Sequence, residues 1–188
     1  MDYIDGKTLE IESPKGMAEE LANVLGHINS QGATKPGRLG GGPLSGVLWP
    51  EHEEVEFSEP ADLQSWFDMH SPKSVTSIDL NRYLLYMCHL NFTPRNIIVK
   101  DGRIYLIDWA SAGYFPRFFE HAVYRILTSD RSFYKALKPF LPSLSEEEQQ
   151  SVDTVVGSSG YSQFRILCVT GQMDLEVANK NPSHSSGA

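Results

Sequence analysis

Cys88-His89-Leu90-Asn91-Phe92-Thr93-Pro94-Arg95-Asn96-Ile97-Ile98-Val99-Lys100, with Ile107-Asp108-Trp109 shortly after it, is the stretch from which the fold can be read. Asn96 to Lys100 and Arg103 to Asp108 are β-rich runs separated only by Asp101-Gly102. That dipeptide suits a type I′ turn, so the spacing predicts a tight hairpin. Asn96 then stands at one end of the hairpin and Asp108 at the other, on adjacent strand ends where both side-chain oxygens can meet one cation. Carboxylate and amide oxygens are the hard ligands that magnesium prefers, which makes Asn96 and Asp108 the candidate metal ligands.

The segment before the hairpin carries the functional signal. In phosphotransferase loops a His is followed two positions later by an Asp that takes the acceptor hydroxyl's proton, and five after that Asp by an Asn that binds magnesium. The same offsets here give His89, Asn91 and Asn96. On these residues the chain resembles the aminoglycoside phosphotransferase and choline kinase superfamily, its fungal members in particular, where His-x-Asp-x-x-Pro-x-Asn precedes Ile-Asp-Trp. Met1 to Leu9 is similar to that family's interlobe hinge, and Asp108 to Pro116 to the segment behind its metal-binding Asp. The resemblance runs from the start of the chain to about Arg125.

The resemblance implies an α+β, mainly helical, kinase-like carboxyl-terminal lobe with a small β-hairpin over residues 1–178; the small, polar composition of 179–188 predicts a disordered tail. With Met1 at the hinge, it also implies that the nucleotide-clamping amino-terminal lobe is missing. Asn91 stands where the family has its catalytic Asp, and a neutral amide cannot take a proton near pH 7. Gly40-Gly41-Gly42-Pro43 lies outside the strand-turn-strand context of a phosphate-covering loop and reads as an ordinary loop. ATP is therefore not expected as a cofactor of this chain alone; the expectation is no required cofactor, or Mg2+.

Composition narrows the partners. The chain has 188 residues, 40% of them hydrophobic, enough for one sizeable core. Sixteen basic against 24 acidic residues give a net charge of -8, which disfavours nucleic acid or an anionic membrane as the main partner. No apolar run approaches the roughly 20 residues of a membrane span, and no signal peptide opens the sequence, so a cytoplasmic location is expected. The two cysteines, Cys88 and Cys168, make no disulfide framework.

Periodicity supplies the remaining elements. Ser13-Pro14 offers a cap for a helix with Met17, Leu21, Val24, Leu25 and Ile28 on one face. Ala33 to Pro50, with five glycines and three prolines, reads as a long loop beside a pocket. Pro60 opens a short helix that turns Leu63, Trp66, Phe67 and Met69 inward. Asp79 to Met87 is a strand-like run into the loop. Phe118 to Leu127 and Phe133 to Phe140 have helical spacing, and Ser145 with Glu148 forms a capping box for a helix to about Val156. Tyr161 to Val169 is either helix or strand.

Each candidate residue has two readings. His89 either braces backbone or acts in acid-base chemistry, as the one nearby group titrating close to neutrality. Asn91 is either a satisfied loop amide or a hydrogen-bonding group for a substrate carbonyl or hydroxyl. Asn96 either caps the turn or binds metal, and Asp108 is a strand-end cap or a ligand. Trp109, Tyr114 and Phe115, with Phe118 and Phe119, form core or line a cleft. Arg95 joins Trp109, Tyr114 and Phe115 as a candidate substrate-binding residue. Glu51, Glu53, Glu54, Glu56, Glu59 and Asp62 are either a solvated acidic loop or a wall for a cationic group.

Three functions are compatible with this sequence. The leading one is a degenerate phosphotransferase-like lobe repurposed to bind and transform a small-molecule substrate by non-phosphoryl chemistry, such as cyclisation or isomerisation in specialised metabolism, with His89, Asn91 and Asp108 as the catalytic centre. The second is a truncated or split magnesium- and ATP-dependent phosphotransferase. The third is a pseudokinase-like binding module whose missing-lobe face is covered by another copy or a partner chain.

Overall fold

The computed structural model describes residues 4–9, 16–50, 53–72, 77–127 and 130–169, the last ten of these as helical backbone alone. The candidate cap Ser13-Pro14 and the tail 179–188 lie outside the described residues. The architecture is α+β, with five α-helices and two small antiparallel sheets among the described residues. No helix among them is long and apolar enough to cross a membrane.

The hairpin forms as the sequence predicts. Strand β5 (Ile97–Lys100) pairs antiparallel with β6 (Arg103–Leu106), and Asp101 and Gly102 both have positive φ, 50° and 71°. Those angles match the right-handed twist of the strands they join. Strand β1 (Lys7–Thr8) adds to the other edge of β5, giving the order β1-β5-β6.

A second sheet holds the start of the loop. Its order is β2-β4-β7-β3, with β4 (Leu85–Cys88) and β7 (Gly113–Pro116) in the middle. The edges are two-residue strands, β2 (Gly32–Ala33) and β3 (Gly37–Arg38), so the expected long loop contributes two short edge strands. The strand-like run predicted from Asp79 begins instead as a 3-10 turn over Leu80–Arg82, whose amide of Asn81 is capped by the Asp79 carboxylate at 3.2 Å. A side chain that bonds its own backbone two residues on favours a turn over a ladder.

The helices enclose two apolar clusters. Helices α2 (Pro60–His70), α3 (Phe118–Ile126) and α5 (Glu146–Val169) surround Trp49, Phe67, Phe115, Phe118 and Phe119. Helices α1 (Ala18–Ile28) and α4 (Arg131–Leu137) cover Leu21, Leu25, Phe92, Ile97 and Phe133. The loop from Cys88 to Asn96 is stitched between them: Cys88 and Leu90 enter the first cluster, Phe92 and Ile97 the second. Burying alternate side chains in different cores fixes the loop's path without regular structure.

Helix α5 starts at the predicted capping box, where the Ser145 Oγ accepts from the Glu148 amide at 3.1 Å and the Glu148 carboxylate from the Ser145 amide at 2.8 Å. It runs on through Val156 to Val169, which resolves Tyr161 to Val169 as helix. The Arg117 guanidinium holds Glu148 through two bonds of 2.7 Å and draws its carboxyl below the usual range; Arg125 pairs with Asp153. These pairs tie α3, which follows the site, to α5. Met69, expected inside, is 71% exposed because it falls at the end of its helix, beyond the packed turns, and Phe140, at the end of the turn after α4, is 49% exposed.

Gly113 is the tightest point of the second sheet. A methyl group there would collide with the carbonyl oxygen of Gly37 and lie 2.6 Å from a ring carbon of Phe115. Gly113→Ala therefore lowers stability by about 1–3 kcal/mol in urea denaturation, the range for overpacking a filled site; an unchanged midpoint would contradict this packing.

Candidate functional site

Both loop and hairpin converge on one peptide unit. The Ile107 amide donates to the Asn96 carbonyl at 3.0 Å, and the Ile107 carbonyl accepts from His89 Nε2 at 3.2 Å. A carbonyl can only accept, so Nε2 carries the imidazole proton. Asp108 follows directly, in a left-handed backbone conformation with φ 61° and ψ 65°. This is uncommon for a residue with a Cβ, and such strain persists only where the surroundings over-determine it. Leu90, on the facing loop, has φ 56°.

The side chains of Asn91, Asn96 and Asp108 meet. Asn91 Nδ2 donates to Asp108 Oδ2 at 2.7 Å, and Asn96 Nδ2 donates to the Asn91 carbonyl at 2.9 Å and to Asp108 Oδ2 at 3.4 Å. Arg95 completes the row: its Nη2 reaches Asn91 Oδ1 at 3.5 Å while its Nη1 reaches the buried Asp130 carboxylate at 3.3 Å. Asn91 thus accepts from a cation on one side and donates to an anion on the other, a pairing that an amide can make and a carboxylate cannot. Asp108 is exposed, Asn91 half-buried and Asn96 buried.

The residues expected at the site divide. Asn91, Asn96, Asp108 and Arg95 come together as above. His89 is wholly buried; burial pushes its imidazole below the ordinary value, against the opposing pull of the Ile107 carbonyl and the Asp108 charge. Its place is to brace Ile107 rather than to meet a substrate. Phe115 is also wholly buried, within 5.4 Å of the ring centres of both Trp49 and Phe119, and belongs to the core instead of a cleft. Trp109 is half-buried, its ring 4.7 Å from that of His89 and its indole N–H on the Leu106 carbonyl at 3.1 Å; Tyr114 is also half-buried.

A magnesium ion does not fit this arrangement. Asn96 turns its nitrogen, not its oxygen, toward Asp108, and two acceptors hold it that way. The Asn91 amide occupies the nearer side of the same carboxylate oxygen. Among the described residues, no three His, Cys, Asp or Glu side chains gather as a metal-binding group.

One feature gives the expected pocket beside the Ala33–Pro50 loop its place, and another escaped the sequence reading. A cavity of about 550 Å3 is lined by Pro43, Leu44, Ser45, Gly46, Trp49 and Pro50, with Glu53 and Glu54 from the acidic run at its edge. The loop that forms it is fastened to the segment just past Asp108: Ser45 Oγ donates to the Ala110 carbonyl at 2.8 Å, and the Leu39 amide to the Ala112 carbonyl at 2.8 Å. The second feature is Glu120 of α3, fully enclosed, whose carboxylate accepts from the His89 amide at 2.7 Å and the Leu90 amide at 3.2 Å. A lone acid among Phe118, Phe119, Ala122 and Val123 is the one signal that could have revealed it. No protein family model matches the chain, and no curated protein matches it significantly.

The amide at position 91 fills the place of a positive charge beside Asp108. Asn91→Asp would set two carboxylates against each other, and one pKa of such a pair rises unless a cation intervenes. Thermal melts of Asn91→Asp are expected to rise with millimolar Mg2+ while those of the parent protein stay flat; equal responses would contradict this account of the site.

Proposed function

We propose that the chain is a small-molecule enzyme on the carboxyl-terminal lobe of a phosphotransferase-like fold, working by non-phosphoryl chemistry such as isomerisation or cyclisation. The observation that carries this reading is the Asn91 amide bound at 2.7 Å to Asp108, on a segment fastened to the wall of a cavity of about 550 Å3. That volume lies within the roughly 300–1,000 Å3 range of pockets for small ligands.

The roles follow from what each group can do. Asp108 is exposed and carries an acceptor for a substrate proton. The guanidinium of Arg95, 56% exposed, and the amide of Asn91 can hold a substrate carbonyl or hydroxyl and favour negative charge developing on its oxygen. Pro43, backed by the buried Trp49 and Pro50, gives the apolar body of the substrate a surface, and Glu53 and Glu54 add negative charge to the lining. A cytoplasmic setting goes with this reading, since Cys88 is a free, buried thiol.

Phosphoryl transfer is supported less well, because Asn91 cannot serve as the base and the Asn96 nitrogen faces the carboxylate that a cation would need. Calorimetry decides between the two. A hydroxylated or polyketide-like compound from a diverse panel is expected to bind the purified chain, and Asn91→Ala combined with Asp108→Ala is expected to weaken it at least ~10-fold, about 1.4 kcal/mol. Tight magnesium-ATP binding with no response to the panel, or full affinity in the double variant, would overturn the proposal.

A further inference from the structure

We propose that Glu120 is a protonation-controlled latch whose grip on two consecutive backbone amides sets the geometry of the loop that carries Asn91. The inference is independent of which reaction the site performs. Its basis is the position of the carboxylate: from helix α3 it grips two consecutive amides, His89 and Leu90, at the point where the chain leaves β4 and turns through Leu90 at φ 56°. Asn91 is the next residue. Oε2 accepts from both amides, whereas Oε1 accepts from Leu90 alone, at 3.2 Å.

Ionised, the carboxylate offers both oxygens to the loop. Protonated, one oxygen becomes a hydroxyl that donates, and the two amides are left with a weaker, uncharged acceptor. Leu90 has the longer bonds and loses most, and its strained conformation then has less to hold it.

The surroundings leave Glu120 as the group that changes. From β4 the Cys88 thiol faces it, and from α3 itself the Tyr124 hydroxyl; burial and the Glu120 charge push both well above their ordinary values. The His89 imidazole is pushed down. On α4, Tyr134 stacks on Tyr124 with ring centres 4.6 Å apart and is itself pushed up by burial. The charged groups of α5 that face α3, Glu148 and Asp153, are paired with Arg117 and Arg125. Neither a cation nor a second anion among these groups enters the enclosure. Burial pushes the Glu120 carboxyl up to about 7, the two amides pulling the other way.

The linkage sign follows. A carboxyl that binds its proton more tightly when folded favours the folded state fully below its unfolded value, and this contribution is lost as pH rises through about 7. Raising pH thus costs global stability while it tightens the loop.

The test uses the ligand-free chain. The 13C carboxyl resonance of Glu120 is expected to titrate near neutrality in the wild type. Over the same range, the Leu90 and Asn91 amide resonances should shift, and Leu90 protection, corrected for intrinsic exchange, should fall severalfold as pH drops. In Glu120→Gln, which keeps one acceptor and no charge, the amide shifts should be flat. A Glu120 resonance that titrates in the ordinary carboxylate range overturns the proposal, and so does the same loop transition in Glu120→Gln. The wild-type measurement decides the matter even if the variant fails to fold.

Discussion

Asp108 can stand in a left-handed conformation at the surface because the peptide before it is held on both sides. The Ile107 amide is taken by Asn96 and the Ile107 carbonyl by His89. His89 is in turn fixed by its own amide on Glu120, and Asn96 by burial at the head of β5. The dependence runs from helix α3 through the loop to the hairpin end. Removing any member would free a backbone group in the interior, at a cost of about 1–3 kcal/mol, and would let the carboxylate wander. The site is therefore a product of tertiary packing, although its residues are nearly contiguous.

Electrostatics gives the site its character. Asp130, Arg95, Asn91 and Asp108 form a row in which charges alternate around a neutral amide. Two amides donate to the same oxygen of Asp108, Oδ2, where a cation would otherwise sit. A carboxylate at position 91 would reverse that balance. An amide rather than a carboxylate at position 91 thus sets both the proton inventory and the cation preference of the same few atoms. The cavity, lined by polar and apolar groups alike with Glu53 and Glu54 among them, is tied to the segment just past Asp108 through Ser45.

Much of this was legible in the sequence where a local rule decides the outcome. Asp101-Gly102 forced the turn, so the hairpin and the meeting of Asn96 with Asp108 could be read directly. Ser145 and Glu148 announced the start of α5 in the same way. The four-stranded sheet could not be read, because β2 and β3 have only two residues each and take their pairing from β4 and β7. Phe115 could not be assigned to core or cleft, since an aromatic on a strand suits both; only the packing of Trp49 and Phe119 against it decides. His89 was ambiguous for a related reason: its role rests on a carbonyl eighteen residues away. Glu120 is the clearest case, an acid whose partners are backbone amides that no side-chain pattern displays.

The central claim is that the row around Asn91 and Asp108 and the cavity beside Trp49 form one small-molecule site. Amide and indole chemical-shift mapping of the labelled chain against a fragment library tests it most directly. The account predicts that one set of hydroxylated fragments perturbs Asn91, Asp108 and Ala110 together with Gly46 and the Trp49 indole. Fragments that perturb the cavity alone, with the Asn91 and Asp108 resonances unmoved, would contradict it.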